Sequence, residues 1–287
     1  MKLLNYYNGE EVRLGIKTDR GIVDVGQAAI DCSLDVPTNM TAVIELGAEG
    51  LEKLARVEKE ATEFIAEEGL AFAPCVTGPE KVICIGLNYI DHAKEAKMEP
   101  PRFPVVFSKF NNALAAHRQN ITLPDSAKQF DYEAELVIVI GKEASRVTEE
   151  EALSYVFGYT AGNDFSARDF QFRTGQWLLG KSCDGFAPIG PYLVADEIPD
   201  PNDLDIQCEV NGTIRQAGNT ENMIFDCAAL ISYLSRHMTL KAGDLIFTGT
   251  PGGVILGEPE DKRVWLKSGD SISITVEKIG TLTNQLV

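Results

Sequence analysis

Short apolar runs broken by Gly, Asn and Asp dominate the hydrophobic pattern, and a helical period recurs in only a few stretches. Lys2–Tyr7, Val12–Lys17 and Gly21–Val25 read as strands joined by turns at Asn8-Gly9 and Asp19-Arg20-Gly21. Two helical segments follow, Thr41–Leu46 and Leu51–Ala66. In the second, Leu51, Leu54, Ala55, Ala61, Phe64 and Ile65 recur at helical spacing, with Glu and Lys on the opposite face. Ala73-Pro74-Cys75-Val76-Thr77-Gly78-Pro79 reads as a linker. It suggests a small N-terminal domain over residues 1–75 and a larger one over 76–287. Lys81–Ile85 is a predicted strand, and Asp91 to Lys97 a short helix ended before Pro100-Pro101. Glu149–Val156 reads as a helix with Thr148 as its N-cap, and Phe225–Arg236 as an amphipathic helix with Leu230, Ile231 and Leu234 inward. Val210-Asn211-Gly212-Thr213 is a hairpin turn, and Ser271–Glu277 is the last strand the pattern predicts.

One stretch carries more than packing information: Asp131-Tyr132-Glu133-Ala134-Glu135, followed by Leu136-Val137-Ile138-Val139-Ile140-Gly141. The Val/Ile-rich run reads as a buried strand. Side chains alternate faces along a strand, so Asp131, Glu133 and Glu135 are expected on one side. Aligned carboxylates at the entry to a buried strand repel one another and resist losing water. A bound cation would resolve both costs, and oxygen-only ligands suit Mg²⁺, Mn²⁺ or Ca²⁺ rather than zinc. An edge strand whose acids face solvent fits the same pattern.

Composition narrows the choice of partner. The 287 residues carry a formal net charge of −17, with 44% hydrophobic and 24% charged residues. Those fractions are ordinary for a globular protein with a sizeable core. The negative charge argues against nucleic acid or an anionic membrane as partner, since both recruit basic surface. Six scattered cysteines form no C-x-x-C pair, and we read them as reduced and mostly buried. No apolar run reaches membrane-spanning length and the first residues lack a targeting pattern, so a cytoplasmic location is expected.

Other candidates for chemistry are individually ambiguous. His92 and Glu95 stand three apart, the spacing of a carboxylate orienting an imidazole base and equally of an ordinary surface pair. His117 falls in a polar loop and His237 near a helix end. Asp164, in Gly162-Asn163-Asp164-Phe165-Ser166, fits a helix cap or a third oxygen ligand. Lys181 sits among small and apolar residues, where a buried ammonium needs an anionic partner. Gly249-Thr250-Pro251-Gly252-Gly253 is a Gly-rich loop able to present N–H groups and a hydroxyl to an anion, without a G-K-[ST] phosphate motif.

Taken together, five segments resemble the fumarylacetoacetate hydrolase superfamily. They are G-L-N-Y-I-D-H-A-K-E, D-Y-E-A-E-L-V-I-V-I-G-K, G-N-D-F-S-A-R-D-F-Q, G-K-S-C-D-G-F-A-P-I-G-P and T-G-T-P-G-G-V, in the family's order from about Lys81 onward. The resemblance implies an α+β, mostly β fold: a mixed-sheet roll with short helices, preceded by a small α+β domain. It implies Glu133, Glu135 and Asp164 as ligands of one Mg²⁺ or Mn²⁺ per chain, with Asp131 supporting them from behind. It also implies a lid helix whose His92–Glu95 dyad activates water, Lys181 stabilising a pyruvate enolate, and Gln171 and Thr250 holding an oxo-acid substrate. The activity implied is hydrolysis of a 2,4-dioxo acid (an acylpyruvate or fumarylpyruvate) to pyruvate and a carboxylic acid, in a homodimer. Oxaloacetate decarboxylation and isomerisation of a 2-oxo-diene dioic acid are its near alternatives. A non-catalytic metal-binding module is the alternative from a different class. Pro100-Pro101-Arg102-Phe103 and the acidic stretch Glu258–Arg263 match no family position and leave the substrate side chain open.

Overall fold

The computed structural model describes residues 1–95 and 99–287, with the side chains of residues 92–94 outside that description. The Ala134–Ile140 strand is the central plank, buried at every position. Its two sets of alternate side chains feed two separate cores. Leu136, Ile138 and Ile140 pack with Ile206, Cys208, Ile272 and Ile274, whereas Val137 and Val139 pack with Leu3, Leu193 and Phe247. A strand buried on both faces reads as a continuous apolar run rather than an alternation, which is what the sequence shows after Glu135.

This strand lies inside an 11-stranded mixed sheet. On one side its neighbours are Val156–Asn163, Ala187–Val194 and then Lys2–Asn8. On the other they are Leu245–Phe247, Val82–Gly86 and, at the edge, Val105–Lys109. A second, five-stranded sheet built on Asp205–Val210, Ser271–Val276 and Gly280–Leu286 covers one face. Helices are short, as expected for an α+β, mostly β chain. Residues 1–75 join this framework directly. Lys2 and Leu3 pair with Val194 and Leu193, and Val43, Leu54 and Val57 from the N-terminal helices share a core with Val137 and Val139.

Several predicted boundaries shift for identifiable reasons. The second N-terminal helix spans Ala48–Glu60, not as far as Ala66. Phe64 and Ile65 mimic helical spacing, but Ile65 bridges Ile22 in extended form, with both backbone bonds made. The helix after Thr148 is only Glu149–Ala152, followed by a 3₁₀ turn over Leu153–Tyr155, and Thr148 makes no cap bond. The later helix starts at Cys227, where Asp226 accepts from Ala229 N. The Asn211-Gly212 hairpin forms as expected, with both residues at positive φ. The helix predicted over Asp91–Lys97 is formed over Ile90–Glu95; the rest of its predicted span, residues 96–97, lies outside the described residues.

His117 is a structural residue. It is buried, its ring meets the Phe72 edge at 4.7 Å, and its Nδ1 accepts from Thr283 N at 3.0 Å. Burial pushes its pKa down from 6.5 to about 4. The unfolded chain therefore binds a proton below pH 6.5 that the folded chain refuses until about pH 4. Stability from this group is complete above pH 6.5 and lost as pH falls through that window. Between pH 7 and pH 5 urea unfolding should show wild type losing about 2 kcal/mol more than His117→Asn, whose amide oxygen keeps the bond but does not titrate. Equal losses would remove His117 from the account.

Candidate metal centre and active site

The centre forms where three chain segments are locked edge to edge. Glu133 N donates to Asn163 Oδ1 at 2.9 Å and Asp164 N to Glu133 O at 2.9 Å, while Ala134 pairs with Asn163. These bonds bring Glu133, Glu135 and Asp164 together, each offering an oxygen within 4.8 Å of the others, all three buried. Burial raises the Glu135 carboxyl pKa well above its usual range, and Asp164 and Glu133 add to the rise. Only Gly249 N, donating to Glu135 Oε2 at 2.8 Å, and the Lys181 charge oppose it.

Three buried cations answer the carboxylates. Lys181 Nζ lies 2.6 Å from Glu133 Oε2, 2.8 Å from Asp164 Oδ2 and 5.0 Å from the Phe107 ring centre. Burial alone would lower its pKa, but Asp164 and Glu133 outweigh that and hold it charged, above the usual lysine value. Arg168 donates from Nε to Asp131 Oδ2 at 2.9 Å, from Nη2 to Glu133 Oε1 at 2.7 Å, and from Nη1 to Gln171 Oε1 at 2.8 Å. Lys109 Nζ lies 2.6 Å from Asp164 Oδ1. Counting Asp131, the cluster sets four carboxylates against three cations, leaving one net negative charge in a nearly dry interior.

Asp131 departs from the strand expectation. The ladder breaks at residues 132–133, and Asp131 belongs to a separate short strand, Phe130–Asp131, paired with Ser166–Ala167. Its carboxylate faces Arg168 and accepts from Tyr132 N at 3.0 Å, Ile255 N at 2.9 Å and Leu256 N at 3.0 Å. With every lone pair engaged, it orients Arg168 and the 254–256 loop and leaves the metal donors to Glu133, Glu135 and Asp164.

A cavity of about 630 Å³ opens beside these groups. Phe107, Phe172, Trp177, Val254 and Leu256 form its apolar wall, and Glu95, Gln171, Lys181, Thr250 and Arg263 also line it. Gln171 accepts through Oε1 from Arg168, so its amide N–H groups are the donors left to present. Thr250 Oγ1 accepts from Gln216 Nε2 at 2.8 Å, and Gln216 Oε1 accepts from Ala134 N at 2.9 Å, which frees the Thr250 O–H to donate. Glycine at 249 is required: at φ +103°, an added Cβ would lie 2.7 Å from Asn88 Cβ. Glu95 accepts from Gly253 N at 3.1 Å and Asp91 from Gly252 N at 3.1 Å, docking the Ile90–Glu95 helix on the Gly-rich loop. The His92 side chain lies outside the described residues.

The donor set fits a hard divalent cation. It is all oxygen, it contains a carboxylate that burial forces toward protonation, and Asp164 Oδ1, although buried, makes no hydrogen bond. The free cysteines stay out of this set, and burial raises the Cys84 and Cys183 thiols away from thiolate character. Sequence reasoning assigned no role to Lys109, Arg168 or Gln216. For Lys109 a signal existed: in Val105-Val106-Phe107-Ser108-Lys109 the inward positions are Val105, Phe107 and Lys109, so the run places an ammonium where an apolar residue belongs.

A mostly β chain thus carries a buried all-oxygen donor set able to hold a hard cation, beside a cavity lined by Lys181 and Arg263. Comparison with known proteins identifies the family. Residues 81–287 match the family model described as fumarylacetoacetate (FAA) hydrolase C-terminal, and the chain belongs to that family. A fumarylacetoacetate hydrolase domain-containing protein 2 homolog of Dictyostelium discoideum is 42% identical over 100% of this chain and 97% of its own length. A mitochondrial oxaloacetate tautomerase of Rattus norvegicus is 39% identical over 97% of this chain and 88% of its own. Among solved structures, a 5-carboxymethyl-2-hydroxymuconate delta-isomerase from Mycobacterium smegmatis superposes with a TM-score of 0.77 at 32% identity, covering 100% of this chain and 98% of its own. Maleylpyruvate hydrolase from Sphingobium sp. SYK-6, in complex with manganese(II) and pyruvate, superposes with a TM-score of 0.80 at 27% identity, covering 100% and 99%.

The donor geometry makes a direct prediction. Calorimetric titration of chelator-stripped protein with Mn²⁺ should show one site per chain, and saturating metal at a hundred times Kd should add about 2.7 kcal/mol of stability. Glu135→Ala should lose both effects. A variant that binds with unchanged affinity would rule these carboxylates out as the ligands.

Proposed function

We propose that this chain interconverts the keto and enol forms of a small 2-oxo dicarboxylic acid of the oxaloacetate class, at one Mg²⁺ or Mn²⁺ held by Glu133, Glu135 and Asp164. The observation carrying this reading is the Lys181 ammonium, buried and charged, fixed within 2.8 Å of two of the three metal-donor carboxylates. On this reading it would be a second positive group near the 2-oxo oxygen on which negative charge develops. The bound metal would supply Lewis acidity to that oxygen. Lys181 would hold the enolate, at roughly 3–4 kcal/mol per well-placed donor. The Gln171 amide and the Thr250 hydroxyl would grip the carboxylate, and the wall of Phe107 and Trp177 would keep water from the carbanion. In this exchange the enol O–H loses a proton and the neighbouring carbon gains one. We assign the transfer at carbon to His92, with Glu95 beside it in the same helix. The near full-length likeness to an oxaloacetate tautomerase supports this choice among enolate reactions.

A second reading rests on cavity size. About 630 Å³ is within the range of drug-sized ligands and far beyond a four-carbon acid. The space toward Phe172, Val254 and Leu256 would take the acyl arm of a 2,4-dioxo acid. Hydrolysis would then begin with water attacking the distal carbonyl and would end on the same enolate, with His92 as base. A homodimer and a cytoplasmic location are separate proposals, to be checked by sedimentation and by fractionation; the rat relative is by name mitochondrial.

Turnover measured on enol-oxaloacetate, on oxaloacetate decarboxylation, on acylpyruvates and on fumarylpyruvate, with and without Mg²⁺, separates the two readings. We expect metal-dependent ketonisation of oxaloacetate to exceed acylpyruvate cleavage. His92→Ala should slow whichever reaction is native by roughly 10²–10⁴ in kcat, the range for loss of a general acid–base. Faster cleavage of an acylpyruvate than of any oxaloacetate reaction would overturn the tautomerase reading in favour of the hydrolase. Full activity of His92→Ala on every substrate would remove the dyad from both.

A further inference from the structure

Lys109 ends the edge strand Val105–Lys109, yet its side chain is fully buried. The ammonium donates to Phe165 O at 2.9 Å, to Phe186 O at 2.7 Å and to Lys181 O at 2.5 Å, and pairs in charge with Asp164 Oδ1 at 2.6 Å. An ammonium has three protons, and three carbonyls consume them. Asp164 Oδ1 therefore receives charge without a hydrogen bond, which leaves its lone pairs available to a cation shared with Glu133 and Glu135.

The three carbonyls belong to the segments that build the site. Phe165 follows Asp164, Lys181 carries the enolate-facing ammonium, and Phe186 precedes the Ala187–Val194 strand. Lys109 itself is carried by the strand paired with Val82–Gly86, which leads into the Ile90–Glu95 helix. One tetrahedral group thus ties the lid-bearing edge of the sheet to the metal ligand and the catalytic lysine.

We propose that Lys109 is a positioning residue that sets Asp164 and Lys181 relative to each other for the metal and the enolate. The inference rests on the reading of the site as a metal-dependent enolate centre. Simple filling of this position would be met by an apolar side chain with no charge to desolvate. What only a lysine supplies is a tripod of donors converging from one point. Arginine keeps the charge but offers a planar fork that does not reproduce three converging bonds.

The test compares wild type, Lys109→Met and Lys109→Arg, each loaded with Mn²⁺. In folded Lys109→Met we expect an altered Mn²⁺ electron paramagnetic resonance spectrum, and kcat lower by roughly 10–100-fold, the usual effect of losing a partner behind a metal ligand. KM for the 2-oxo acid should stay within about three-fold, because Lys109 touches no substrate; three-fold in binding is about 0.6 kcal/mol. Lys109→Arg should fail to restore either property. A folded Lys109→Met with the wild-type spectrum and kcat overturns the inference, as does full rescue by Lys109→Arg, which would reduce the role to charge. If neither variant folds, wild type labelled with ¹⁵N-lysine decides. The buried Lys109 ammonium resonance, assigned by difference from Lys181→Met, should shift when Mg²⁺ is added, and an unmoved signal overturns the inference. Absence of Mn²⁺ binding by wild type would instead overturn the metal reading itself.

Discussion

Burying Asp131, Glu133, Glu135 and Asp164 in one small volume would be prohibitive without compensation. Moving a single carboxylate from water to a protein interior costs several kcal/mol even after relaxation. Lys109, Arg168 and Lys181 offset that cost through contacts of 2.6–2.9 Å. The balance is incomplete by one charge, and the shortfall falls on Glu135, the acid whose close partners are a backbone N–H and other acids. Much of the surrounding architecture follows from maintaining this arrangement. Asp131 must be saturated by Ile255 N and Leu256 N, which fixes the loop forming the cavity wall. Glu135 must be approached by Gly249 N, which demands a residue without Cβ beside Asn88.

The sheet supplies the rigidity that such a cluster needs. Because Ala134–Ile140 is buried on both faces, it tolerates neither a register slip nor a tilt without disturbing two cores at once. Glu133 and Glu135 lie at the end of that plank, so their position inherits the precision of the packing behind them. The Gly-rich loop and the Ile90–Glu95 helix are less constrained. They dock on each other through Gly252 N to Asp91 and Gly253 N to Glu95, and the loop reaches the cluster through Gly249 N to Glu135, beside the cavity. Under the proposed function, rigid carboxylates with a hydrogen-bonded cover would suit a site that holds a cation and exchanges an organic acid at each turnover.

What the sequence revealed depended on how local each constraint was. Glu133 and Glu135 were legible because strand alternation is a two-residue rule, and the apolar run after them could hardly be anything but a buried strand. Asp131 followed the same rule and was misplaced, since nothing in Asp131-Tyr132-Glu133 announces that the ladder breaks and a second pairing with Ser166 begins. Phe64 and Ile65 satisfied helical spacing by coincidence; the extended form of Ile65 comes from its backbone bridge to Ile22, more than forty positions away in sequence. Asp164 and Lys181 carried only ambiguous local signals, a cap or a ligand for the one and a lysine among apolar residues for the other, and only the motif resemblance chose between the alternatives. Lys109 was readable in principle, as a cation at an inward position, but a terminal lysine on an edge strand is also how sheets discourage aggregation. Its meaning lies in three carbonyls between 56 and 77 residues away.

That long-range wiring bears on why one scaffold serves tautomerases, isomerases and hydrolases, as the names of the similar proteins attest. On the proposed reading, the carboxylate–cation cluster would address only the carboxylate and 2-oxo end of a substrate, the end at which an enolate would form. On the same reading the fate of the electron pair would be decided at the other end of the cavity, which Phe172, Val254, Leu256, Arg263 and Glu95 line. A proton delivered to carbon ends the reaction as a tautomerisation, and a carbonyl carbon attacked by water ends it as a cleavage. Both outcomes would use the same buried charges, so on this reading the cluster would fix the intermediate and the cavity wall the product. The cluster's carboxylates come from the central strand and the segments flanking it, its cations from an edge strand and two short helices, and side chains of the wall loops can vary as long as the backbone N–H groups of Ile255 and Leu256 keep Asp131 engaged.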